Sequence, residues 1–283
     1  MKRKIATLSL VLLIISGSIT LVYAWGAWGH KHISHAAVFA LPDSMRPFYY
    51  NHIDFITEGA VVPDLRKYVI HDKAEGPRHY VDIEDFGGLS ISQIPVTTKD
   101  AYTKYDSSFL NKTGYLPWYI QNLSEKLSEA FRKKNKSEVL FISAEISHYI
   151  ADAHMPLHTS SNHDGQKTNQ KGIHALWESI IPPMFGDEYN FNAVPAKMIN
   201  DIPAHTWKII TQSHSLLDTL LAAELRVRNR FTKETMYKKD KQGKTVMYYN
   251  SPVFSDEYAQ LFHRELNGMV EAQMMMNCLA SSS

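Results

Sequence analysis

Cysteine is almost missing from this chain: Cys278 is the single one among 283 residues. That excludes an internal disulfide framework and any cysteine cage for a metal. An excess of one charge is missing too. Lys and Arg number 30 against 29 Asp and Glu, a formal charge of +1, which gives no sign of the broad basic face that grips double-stranded nucleic acid. With 21% charged residues, 44% apolar residues and a mean hydropathy of -0.28, the chain is neither a polytopic membrane protein nor disordered. What it holds in excess is histidine, at 14. A metal bound by this protein would be held by nitrogen and oxygen.

The one long apolar run stands at the start. Met1 to Lys4 is basic, Leu8 to Ile15 is mostly apolar, and Val22-Tyr23-Ala24 precedes a plausible cleavage point. This is the order of an export signal. Residues 1–24 are therefore expected to be removed, leaving a domain over 25–283 that begins at Trp25 and acts in the periplasm or outside the cell. The rival is a retained anchor: Ile5 to Ala24 is just long enough to span a bilayer, though Ser16, Gly17, Ser18 and Thr20 dilute it. Cleavage would remove Lys2, Arg3 and Lys4 and so lower the formal charge from +1 to −2.

Beyond the signal the apolar pattern is mostly helical, and no repeat or linker divides it. Ile120, Leu123, Leu127, Ala130 and Phe131 recur at threes and fours, which predicts a helix over about 117–134. Pro117 suits its first turn and Lys133-Lys134 its last. Ile142, Ile146 and Ile150 predict a second over about 138–153, with Ser137 as candidate N-cap. Ile209 to Val227 and Tyr258 to Met274 read as two further long helices, the last started by Ser255-Asp256-Glu257. Between 83 and 116 the pattern dissolves into Gly87-Gly88, Pro95 and Thr97-Thr98, which predicts a long functional or flexible loop. Residues 238–252 read as a surface excursion with a small hairpin. The expectation is an all-α, single mostly helical domain.

The densest chemical signal is His148-Tyr-Ile-Ala-Asp152-Ala-His-Met-Pro-Leu-His158. His148 and Asp152, four apart, share one side of a helix. Pro156 should end that helix and let His158 fold back over the same pocket. Alone, such a pair is more often surface decoration. His174-Ala-Leu-Trp-Glu178 repeats the spacing after Gly172, and two His–carboxylate pairs on separate helices are how helical proteins build interior metal sites. Asp64, beside Pro63, and His79, in Pro77-Arg78-His79, add a carboxylate and an imidazole. His30 adds another, in Trp25-Gly-Ala-Trp28-Gly-His30. Together these point to a metal cluster.

In this order, Trp at the mature start, His, Asp, His, His-x3-Asp-x5-His and His-x3-Glu, the chain resembles the superfamily of zinc-dependent phospholipases C and P-one-type single-strand nucleases. The resemblance runs from Trp25 to Glu178. It implies a cleft with three zinc ions: one on Asp64, His79, His148 and Asp152; one on His158, His174 and Glu178; and one on the α-amine and carbonyl of Trp25, His30 and the second oxygen of Asp152. Zinc lowers the pKa of bound water, and a zinc pair can clamp the attacking and leaving oxygens at phosphorus. Asp64 and Asp152 are the expected catalytic carboxylates, with Asp64 orienting or deprotonating the attacking water. Arg66 or Lys67 could meet a phosphate oxygen, or serve as a surface charge or a partner of a ligand.

Tyr80 and Asp82 follow His79. In the nuclease branch the matching positions stack a base and accept from its edge, chemistry that suits an aromatic and a carboxylate. The alternative is a core Tyr80 and a capping or surface Asp82. Glu178 departs from that branch, which usually has Asp there, and agrees with the phospholipases. A nuclease or 3′-nucleotidase acting on single-stranded nucleic acid or nucleotides is the preferred expectation. A phospholipase C acting on phospholipid is the alternative, and a non-catalytic zinc-binding protein a third. No obligate protein partner is indicated. His32, His35, His154, Asn162 and His163 are weaker candidates, and Asn111, Asn122 and Asn135 head glycosylation sequons.

Overall fold

The computed structural model describes residues 26–191, 195–248 and 251–281. The expected export segment and Trp25 lie outside the described residues. Helices make up the architecture, and the strands among the described residues are Met247–Tyr248 and Ser251–Pro252, paired antiparallel. With the bridges Tyr237↔Phe254 and Lys239↔Thr245, this is the expected small excursion over 238–252.

At the centre lies the helix Lys136–Ala153, buried along nearly its whole length after Val139. Its N-cap is Asn135, whose side chain accepts from the Glu138 amide, rather than the expected Ser137. The carboxamide two residues earlier satisfies the free amide, so Ser137 joins the first turn. The helix Leu116–Arg132 runs back against it, with Pro117 in its first turn. Ile120, Leu123 and Ala130 are buried there, while Phe131, near its end, is exposed. Gly26–Ala40, Ile53–Gly59 and Met269–Ser281 complete the packing around the central helix. At Gly59 an added Cβ would come within 2.8 Å of Ala144 Cβ, so that crossing needs glycine.

The central helix divides two apolar clusters. Ile142, Ile146, Tyr149 and Ile150 belong to one, with Trp118, Phe86 and Trp207. Ala151, together with Met155 and Leu157 just beyond the helix, belongs to the other, with Ile33, Trp177, Tyr258 and Phe262. Fully burying side chains of this size contributes roughly 1.5–3 kcal/mol each.

Three expectations are corrected. The region 83–116 is not one long loop: it holds the helices Thr98–Lys104 and Ser107–Thr113 besides two single turns, Ile83–Asp85 and Ile91–Gln93. Thr97 and Asp106 cap the two helices by accepting from Asp100 N and Phe109 N. The helix expected over Ile209 to Val227 starts earlier and is broken at Leu216 into Ile202–Ser215 and Leu217–Arg228. The helix expected over Tyr258 to Met274 is split into Asp256–Leu266 and Met269–Ser281. Asn267 and Gly268 both take positive φ, 48° and 80°, and these are the residues that reach that region at least cost. Ser255 does cap the first of the pair.

Candidate metal centre

The central helix ends where the chemistry begins. Its last turns carry His148 and Asp152 on one face, both fully buried. Met155, before Pro156, is extended, as the proline ring requires. One turn, Pro156–Thr159, then carries His158 back, so that its Nδ1 lies 3.3 Å from Asp152 Oδ1. The fold-back expected from Pro156 is therefore present. Helix Val62–Tyr68, opened by Pro63, brings in Asp64, and the turn Gly76–Arg78 ends at His79. Helix Gly26–Ala40 carries His30, whose ring stacks on that of His148 at 3.9 Å. The Ser34–Ser147 hydroxyl contact at 2.8 Å joins the same two helices.

Asp152 divides its oxygens between two sides. Oδ2 lies 2.9 Å from His79 Nδ1 and 3.3 Å from His148 Nε2; Oδ1 faces His158 and, at 3.7 Å, His30 Nε2. Asp64 Oδ1 is 3.7 Å from His79 Nδ1 and 3.9 Å from His148 Nε2, and those two nitrogens are 3.2 Å apart. On the far side, His174 Nε2 lies 3.1 Å from Glu178 Oε1 and 3.3 Å from His158 Nε2. Among the described residues three groups able to hold a metal result: His30, His148 and Asp152; Asp64, His79 and His148; His158, His174 and Glu178.

These separations fit zinc. Bonds of about 2.0–2.1 Å in a tetrahedron put ligand atoms roughly 3.3 Å apart, the middle of the range observed. Several of these side chains also hold buried polar atoms without a hydrogen bond. Both ring nitrogens of His30, both oxygens of Asp64, Asp152 Oδ1 and His158 Nδ1 are buried without a hydrogen bond, a costly arrangement that a cation relieves. The charges agree. Burial, with the Asp152 charge beside it, pushes the Asp64 carboxyl well above the usual range, while His148 and His158 outweigh burial and hold Asp152 well below it. Burial opposes a charge on His148, but Asp152 and Asp64 raise its pKa overall; for His30, burial and the neighbouring His148 lower it.

Partners behind the donors orient them. His148 Nδ1 donates to Ala60 O at 2.8 Å and His174 Nδ1 to His163 O at 2.9 Å. Asp164 Oδ1 accepts from Gly172 N and His174 N. Gly172, at φ 99°, starts Ile173–Ala175, which runs into the wide turn Leu176–Ile180 bearing Glu178. Such π turns recur at functional sites.

A cleft of about 460 Å³ opens on this cluster, with His79, His158 and His174 on its floor and Lys67, Tyr80 and Asp82 on its walls. Tyr80 and Asp82 are half-buried. The segment between them is pinned by Val81 N to His158 O, Asp82 N to Thr113 O and Leu116 N to Tyr80 O. The capping alternative for Asp82 fails, since its side chain makes no cap bond on Ile83–Asp85. Burial and the nearby Asp85 and Glu84 push its pKa up to about 7. Arg66 is not a phosphate ligand at the surface: it binds Glu75 at 2.7 Å and Glu145 at 2.5 Å behind His79.

Of the weaker candidates, His163 lines the cleft. His154 turns away to Ile150 O, and Asn162 donates to Thr168. His32 and His35 are exposed, His32 stacked on Trp28 at 3.7 Å, so neither extends the donor set. Sequence reasoning missed Tyr68 and Asp164 in the cleft wall, and Glu75 behind His79. Glu75 repeats the four-residue spacing of the other pairs, the one signal that could have found it.

The family model described as S1/P1 Nuclease matches residues 25–267. The chain is 25% identical to "Nuclease S1" of Aspergillus oryzae over 208 residues, 68% of this chain and 66% of that relative, just under two thirds of its length. The chain therefore belongs to the S1/P1 nuclease family.

Proposed function

We propose that this protein is an exported, zinc-dependent hydrolase of phosphodiester bonds, a nuclease or 3′-nucleotidase. The observation that carries the reading is the convergence of His30, Asp64, His79, His148, Asp152, His158, His174 and Glu178 in one buried cluster beneath the cleft, with Asp152 offering an oxygen to either side. In this reading Asp64, His79, His148 and Asp152 hold one zinc, and His158, His174 and Glu178 a second. His30 and the other oxygen of Asp152 hold a third with the Trp25 amine. Bound zinc supplies a water of lowered pKa and positive charge against the leaving oxygen. Asp64, at the edge of the cluster, would orient the attacking water and accept its proton.

The walls select the substrate. Tyr80 stacks a base, Asp82 accepts from an exocyclic amine when ionised, and Lys67 pairs with a phosphate oxygen. Burial opposes the charge on Lys67, but Tyr68 and Asp64 outweigh it and raise its pKa, so it is cationic. The family membership supports a nucleic acid substrate. Glu178 supports the second reading, a phospholipase C. Among the described residues no helix is long and apolar enough to cross a membrane.

The test is hydrolysis by protein starting at Trp25, supplied with zinc, on single-stranded DNA, RNA, a 3′-mononucleotide and phosphatidylcholine, with Asp152→Asn as blank. Turnover of nucleic acid lost in the blank is expected. Turnover of lipid alone would move the protein to the second reading, and zinc bound without turnover would leave a non-catalytic zinc protein. A tag fused directly before Trp25 is expected to abolish activity, because an acylated amine cannot ligate.

A further inference from the structure

Behind the proposed ligands sits a carboxylate that faces no solvent. Glu75 is fully buried. Its Oε2 accepts from Arg66 Nε at 2.7 Å and Arg78 Nη1 at 2.9 Å. Its Oε1 accepts the Tyr149 hydroxyl and lies 3.4 Å from His79 Nε2. The other ring nitrogen of His79, Nδ1, points the opposite way, to Asp152 Oδ2 and Asp64 Oδ1. Nδ1 makes a hydrogen bond to Asp152, while Nε2, 3.4 Å from Glu75, makes none, so a carboxylate stands on either side of one imidazole proton. With the proton on Nδ1, His79 donates to Asp152 and cannot ligate; with the proton on Nε2, the Nδ1 lone pair faces the metal group.

We propose that Glu75 is a positioning residue: it holds the His79 proton on Nε2 and so presents the Nδ1 lone pair to the ion shared with Asp64, His148 and Asp152. The inference rests on the ligand assignment above and deepens it. The surroundings keep Glu75 charged and still. Arg66 is fixed on its far side by both oxygens of Glu145, at 2.5 and 2.9 Å. Arg78 lies over the Tyr119 ring at 4.9 Å. Two guanidinium groups against two carboxylates leave the network neutral, which a buried assembly of this kind requires.

The test compares Glu75→Gln, which keeps shape and removes charge, with Glu145→Gln, which loosens Arg66 without touching His79. For each full-length mature variant and the wild type, zinc dissociation constants are measured by chelator competition where the metal-free protein is folded. The metal-free melting temperature and the visible spectrum of the cobalt-loaded protein are recorded alongside. Glu75→Gln is expected to weaken one zinc site about 10–100-fold and alter the cobalt bands, while Glu145→Gln lowers only the melting temperature. Should Glu75→Gln not fold, Glu75→Asp keeps the charge for the arginines and draws it back from His79; the same loss is expected. Equal zinc affinity in wild type and both Glu75 variants would overturn the positioning role alone, as would an equal loss in Glu145→Gln. A wild type that binds no zinc would overturn the ligand assignment and this inference with it.

Discussion

Asp64→Asn should have opposite consequences with and without metal. Both carboxylate oxygens of Asp64 are buried and lack a hydrogen bond. In the metal-free protein, burial and the Asp152 charge push its pKa well above the usual carboxylate range, which favours the neutral form. Asn is then nearly isosteric with what it replaces. The change should cost less than about 1 kcal/mol, which for a chain of this size moves the melting temperature by no more than roughly 2–4 °C. With zinc present the carboxylate is ionised against the ion, and losing that ion forfeits its linkage stabilisation. At a zinc concentration about 100 times the dissociation constant this is about 2.7 kcal/mol, a fall of roughly 5–11 °C. Scanning calorimetry of both proteins, once with excess zinc and once after chelation, reads the two differences directly. An equal fall in both conditions would refute the reasoning, because Asp64 would then serve the packing of the chain rather than a cation.

Asp82, with a pKa near 7, accepts from a base only when ionised, that is, above that pH. KM for an amine-bearing base should therefore drop about tenfold between pH 6 and pH 8, while a uracil substrate and Asp82→Asn stay flat. Tyr80→Ala should raise KM by about 1–3 kcal/mol of lost stacking, roughly 5–150-fold, with little change in kcat; an unaltered KM would return Tyr80 to the core. Gly114→Ala puts a Cβ within 2.2 Å of Tyr80 O at a φ of +79°. Chemical denaturation should show a loss of at least about 1–3 kcal/mol, accompanied by weaker substrate binding as Tyr80 is displaced.

What was legible in the sequence follows from range. The end of the central helix could be read because every cue lies within eleven residues: a four-residue spacing, a proline, and a histidine two residues beyond it. His174 and Glu178 were legible for the same reason, even though a π turn, not a plain helix, carries Glu178. Helices Thr98–Lys104 and Ser107–Thr113 were not, because seven residues give too few apolar positions to establish a period. The caps Thr97 and Asp106 are the available signal, and without a period behind them they look like loop residues. The break at Asn267-Gly268 is masked because the apolar spacing continues across it, although two residues suited to positive φ in sequence are a stop signal in themselves.

Glu75 marks the deeper limit. Its role comes from Arg66, Arg78, Tyr149 and His79 meeting around it, and Tyr149 arrives from a helix more than seventy residues away. A ligand can be recognised by its type and its neighbours in sequence, because the metal demands particular donors in particular numbers. The groups that aim a ligand are under no such demand: backbone carbonyls serve His148 and His174, and a carboxylate faces His79. Only the fold decides which of these a given imidazole meets. Of the three, the carboxylate alone carries a charge that substitution can remove without disturbing the backbone, so the aiming of this centre is most directly tested at Glu75.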